Sequence, residues 1–133
     1  MNQRKITRRE FTILGAAACA GCTAFVAAAS AAKTRTVDAG PADKFAADGV
    51  YDAFSREGFF LVRRSGKLLA LSSFCTHRMA RLKAEPDHTF YCPSHGSDFS
   101  PEGRVAHGPA KRDLPVFATS IGENGHLLVT VIR

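Results

Sequence analysis

Two short stretches of the chain, "SSFCTHRMARL" at residues 72–82 and "FYCPSHGSDFS" at residues 90–100, each set one cysteine close to one histidine. Cys75 is followed by His77 and Cys92 by His95, and no other cysteine occurs after residue 22. Thiolate sulfur and imidazole nitrogen are donors that the softer transition metals accept. Read as residue types, the set leaves two kinds of chemistry open. A Cys75–Cys92 disulfide suits an exported protein, but gives the histidines no role. A zinc ion takes two cysteines and two histidines, ordinarily as like pairs spaced C-x2-4-C and H-x3-5-H, whereas here each pair is mixed.

The elements that would hold these stretches are short strands. "FFLVRR" (59–64), Ser65-Gly66 and "KLLALSS" (67–73) read as a hairpin, and "HTFYC" (88–92) as a further strand. "VFATSI" (116–121), Glu123-Asn124-Gly125 and "LLVTVI" (127–132) read as a closing hairpin. Residues 43–57 are ambiguous between a helical turn and a strand. No long amphipathic stretch appears after residue 33, so the expected class is all-β, a small antiparallel sandwich or barrel. Both cysteine–histidine stretches then fall on loops beside strands. Phe59, Phe60, Leu61 and Val62 are expected in the core.

The N-terminal segment is of a different kind. "TRREF" (7–11) precedes an apolar, alanine-rich run over 11–32, expected to be helical, with small residues at its end. The adjacent Arg8-Arg9 resembles a twin-arginine export signal. At this point cleavage near Ala29-Ser30-Ala31, retention as an anchor in the cytoplasmic membrane, and lipid attachment at Cys22 are all open. The expected organisation is a signal or anchor over 1–32, a polar linker over 33–43 and a folded domain over 44–133. The formal net charge is +6, and half of it lies in the first ten residues. The remaining basic residues form no block, which argues against nucleic acid as a partner.

The arrangement C-x-H, fourteen residues, then C-x2-H resembles the Rieske [2Fe-2S] family. In that family two cysteines ligate one iron and two histidines the other. The resemblance implies one [2Fe-2S] cluster held by Cys75, His77, Cys92 and His95. It extends over residues 44–133: Gly96-Ser97 follow the second histidine as in the family, and Gly108-Pro109-Ala110 match the loop that covers the cluster. Ser97 is the implied hydrogen-bond donor to a cluster sulfide. A cluster-binding loop subdomain beside the main sheet is implied as well.

The chain departs from the cytochrome bc branch of the family at three positions. Ala80 and Ser94 stand where that branch has a disulfide, and Phe99 where it has a tyrosine donating to a ligand sulfur. Losing such a donor lowers the potential within the Rieske range. The implied function is one-electron transfer, as an exported carrier or a subunit of a respiratory oxidoreductase. The implied partner is a redox protein or a quinol, and the implied place is the outer, periplasmic side of a bacterial cytoplasmic membrane. A quinol-oxidising subunit of a cytochrome bc-type complex and the ferredoxin component of a dioxygenase system are the alternatives. Arg78, Arg81 and Lys83 would give the cluster region a basic edge, while His88, His107 and His126 are expected as surface residues.

Overall fold

The computed structural model describes residues 32–133. The expected signal or anchor over 1–32, with its apolar helix and twin arginines, therefore lies outside the described residues but for its last position. Among the described residues no helix is long and apolar enough to cross a membrane. Ten strands among the described residues form two antiparallel sheets.

The larger sheet has six strands: β1 (Thr34–Pro41), β2 (Gly49–Tyr51), β3 (Phe59–Arg64), β4 (Lys67–Ser72), β9 (Val116–Ile121) and β10 (His126–Ile132). They run in the order β1-β10-β9-β4-β3-β2. Both expected hairpins are present. Ser65 and Gly66 both take positive φ (50° and 79°) between β3 and β4, the turn geometry that matches strand twist. Between β9 and β10 the chain reverses through Gly125 at φ 76°, whose N–H donates to Gly122 C=O at 2.9 Å.

The stretch 33–43 is not a linker. Thr34–Pro41 is the edge strand β1, paired with β10 from Thr34↔Ile132 to Pro41↔His126, with a bulge between Asp38 and Gly40. Its polarity suits this position: an edge strand has one open side, and charged side chains there block pairing with other chains. Only Val37 and Ala39 turn toward the core, so the strand carries little apolar pattern. The ambiguous stretch 43–57 resolves into two single 3-10 turns flanking β2.

The smaller sheet has four strands: β5 (Lys83–Ala84), β6 (Phe90–Tyr91), β7 (Asp98–Phe99) and β8 (Val105–His107), in chain order. Its place follows from β3, which is buried on both faces. Phe59 and Leu61 enter the core of the larger sheet with Phe117, Leu127, Val129 and Val131. Phe60 and Val62, on the opposite face, enter a second core with Leu82, Phe90, Phe99 and Leu114. An unbroken apolar run is what a doubly covered strand requires. Phe60 stacks on Phe90 with ring centroids 4.8 Å apart, which fixes the small sheet against the large one.

Candidate metal centre

The two cysteine–histidine stretches form loops of one design. Cys75 N–H donates to Ala80 C=O at 2.8 Å, and Met79 N–H donates back to Cys75 C=O at 2.8 Å. In the second loop Cys92 N–H donates to Ser97 C=O at 2.8 Å, and Gly96 N–H to Cys92 C=O at 3.0 Å. Each loop thus begins at its cysteine and turns back after four residues. The turning residues, Met79 and Gly96, are left-handed, with φ of 57° and 75°. Tight closure draws each cysteine inward and leaves the histidine on the outer turn.

Cys75 and Cys92 are each 1% exposed and share the second core. Both are free thiols, so no disulfide joins them. His77 is half-buried and His95 exposed. Their rings meet edge to face with centroids 4.9 Å apart. The donors thus sort into two inner sulfurs and two outer imidazoles. Among the described residues no three His, Cys, Asp or Glu side chains gather as one metal ion would need. A binuclear centre spreads its ligands two and two, and this arrangement suits it better than a zinc site.

A third segment covers both loops. Ala110 N–H donates to the buried Ser97 hydroxyl at 3.1 Å, and the Thr76 hydroxyl donates to Arg112 C=O at 2.6 Å. Gly108 lies so close over the second loop that a Cβ there would sit 2.5 Å from Ser97 Cα. The covering segment 108–112 therefore binds the two ligand loops together, with Ala80 and Ser94 where the related branch has a covalent link. Sequence reading passed over Thr76; its position between Cys75 and His77 was the available signal. Pro109 lies in the same segment, half-buried.

Two polar groups fit a bound centre. His77 Nδ1 is buried and has no hydrogen-bond partner among the described residues. Such an atom is costly unless something is bound there. The Ser97 hydroxyl, fully buried, accepts from Ala110, and among the described residues no protein acceptor takes its proton. Together with two inner sulfurs, an aimed imidazole nitrogen and a free hydroxyl proton are what a sulfide-bridged iron pair would use. Phe99, also fully buried, offers no hydroxyl beside them.

Fold and site define a small β domain built around a mixed sulfur–imidazole centre. The chain belongs to the Rieske [2Fe-2S] domain family, whose model matches residues 29–118. Its cofactor is one [2Fe-2S] cluster, a group that passes one electron at a time. The chloroplastic cytochrome b6-f complex iron-sulfur subunit of Arabidopsis thaliana is 34% identical over 95 residues, covering 67% of this chain and 39% of that protein. Cytochrome b6-f complex iron-sulfur subunit 3 of Nostoc sp. is 34% identical over 61 residues, covering 45% of this chain and 34% of its own. The chain thus spans about two-fifths or less of these curated relatives. The crystal structure of the plasma membrane Rieske protein PetC3 from Synechocystis PCC 6803 aligns with a TM-score of 0.49 at 26% identity, over 73% of this chain and 98% of that one.

Proposed function

We propose that the chain carries single electrons on the outer side of a bacterial cytoplasmic membrane, through a cluster with Cys75 and Cys92 on one iron and His77 and His95 on the other. The observation that carries the ligand set is the pair of matched loops, each bringing one buried thiol and one outer imidazole. When bound, the cluster supplies one reversible electron at a potential within the Rieske range. The buried cysteines keep water from the sulfur side. His95, exposed at the end of its loop, gives a partner the shortest approach. Ser97 holds a proton toward the sulfur side, and Gly108, Pro109 and Ala110 shield it. The twin-arginine resemblance supports export, since that route carries proteins already folded around a cofactor.

Iron and acid-labile sulfide analysis with electron paramagnetic resonance tests the ligand set. Two of each per chain are expected, with the signal lost in His77→Ser and in His95→Ser; material without iron and sulfide would end this reading. Retention in the cytoplasm of an Arg8→Lys, Arg9→Lys double variant tests the export route.

A second reading, the quinol-oxidising iron-sulfur subunit of a cytochrome bc-type complex, is favoured by what the relatives are named. Ala80, Ser94 and Phe99 count against a high-potential version of it and leave a low-potential menaquinol partner in place. Co-purification with a cytochrome b and quinol-dependent reduction in membranes would select this reading.

A further inference from the structure

A cavity of about 700 Å³ opens behind the first ligand loop, between that loop and strands β9 and β10. Phe117 and Val131, from the larger core, form its floor. Met79, Val116 and Ile132 stand in its lining with 67%, 58% and 51% of their surface exposed, a cost in water that an occupant would remove.

The charge in the lining is one-sided. The lining holds the guanidinium groups of Arg81, Arg112 and Arg133 and one acidic side chain, Asp113. Asp113 is already engaged, its Oδ1 accepting Val105 N–H at 2.9 Å. Arg81 is held in place: it donates to Ser55 C=O at 2.8 Å and lies 5.3 Å from the centroid of the Phe74 ring. Arg112 is anchored through its backbone carbonyl by Thr76, while its side chain is exposed.

We propose that this cavity binds an amphipathic anion, an apolar body bearing one carboxylate or phosphate. The volume lies in the range of small-molecule sites, which combine apolar walls with a few placed polar groups. A bare anion would leave the apolar walls wet. A neutral hydrocarbon would cover guanidinium groups without pairing them. An acyl chain or similar body over Phe117 and Val131, with its head at Arg112 and Arg81, satisfies both. Cys75, His77, Cys92 and His95 are not in the lining, whereas Thr76, between the first pair, is. The cavity is therefore separate from the ligand set and adjoins it at Thr76.

Calorimetric titration of the cluster-loaded protein tests the proposal. The probes are decanoate and dihexanoyl phosphatidylglycerol, both below their micelle concentrations, with acetate and decyltrimethylammonium as controls. Saturable one-to-one binding of at least one anion is expected, about tenfold or more tighter than the cation, with acetate silent. Tighter decanoate identifies a free acid as the source, and tighter phosphatidylglycerol a bilayer lipid. Arg112→Glu should weaken binding about tenfold, and Val116→Asp, on β9 and away from the ligand loops, should abolish it with the resonance signal of the unliganded protein unchanged. No saturable anion binding, equal binding of the cation, or an unaffected Arg112→Glu would overturn the proposal. Loss of the electron-transfer reading would show separately, as missing iron and sulfide.

Discussion

Ser97 has two duties that two measurements on one substitution separate. Its hydroxyl oxygen receives Ala110 N–H, and its own proton is free to serve a cluster sulfur. Ser97→Ala leaves the Ala110 N–H buried without a partner, a loss of about 1–3 kcal/mol in stability. It also removes a donor that favours the more negative reduced state, so the midpoint should fall by an amount on the order of tens of millivolts. Thermal unfolding and protein-film voltammetry read the two effects independently; a lower melting point with an unmoved midpoint would confine Ser97 to holding the covering segment. Phe99→Tyr tests the opposite sign. Phe99 is fully buried in the second core, and a hydroxyl added there should raise the midpoint by a similar amount. A midpoint unchanged by Phe99→Tyr removes this position from the account of the potential. At this scale the sequence was most legible, because mixed pairs of cysteine and histidine have few chemical uses. Thr76 was not legible: a threonine between two ligands reads as filler until the carbonyl it reaches, 36 residues on, is known.

Elements show where local pattern fails. The hairpin β3–β4 announced itself through Ser65-Gly66 and an apolar run, whereas β1 did not, because an edge strand with two inward apolar residues carries the composition of a linker. Part of what holds β1 is a hydrogen-bonded carboxylate. Asp38 accepts from His126 Nδ1 at 2.9 Å and from Gly40 N–H at 2.8 Å, and these bonds, the first above all, hold its carboxyl below the ordinary carboxylate range. A carboxyl lowered in the folded state contributes stability above its unfolded value, near 4, and loses it as pH falls through the lower folded value. Asp38→Asn should therefore melt lower than the parent at pH 6 and converge with it at pH 2; an equal deficit at both would assign the effect to packing. The turning points of the two ligand loops make a second comparison. Met79 holds the left-handed conformation that glycine holds in Gly96. Met79→Gly should raise stability by about 1 kcal/mol through relief of that strain. Gly96→Ala, whose Cβ would meet no atom within 4 Å, should cost about the same through strain alone.

Across the whole molecule the two cores do not depend equally on the cofactor. The larger sheet pairs strands of six to eight residues, β1, β3, β4, β9 and β10 at 8, 6, 6, 6 and 7 residues, around Leu61, Ala70, Val129 and Val131. The smaller sheet is built from β5, β6 and β7 of 2 residues each and β8 of 3, too short to persist by pairing alone. Its core is instead arranged around Cys75 and Cys92, with Leu82, Phe90, Phe99 and Leu114 about them. Ligand bonds from two loops would close that core as cross-links, and binding to the folded state alone stabilises it. Removing iron under reducing conditions should therefore loosen one core before the other. Hydrogen exchange at the amides of Leu82, Cys92 and Leu114, which donate to the carbonyls of Ser73, Ser97 and Gly103, should accelerate more than about 100-fold, while Leu61, Ala70 and Val129 stay protected. Uniform acceleration across both sheets would mean that the domain opens as a single unit, and the division of labour between its two cores would be wrong. Unchanged exchange at these amides would mean that the polypeptide forms the site unaided, with His77 Nδ1 left buried and without a partner among the described residues.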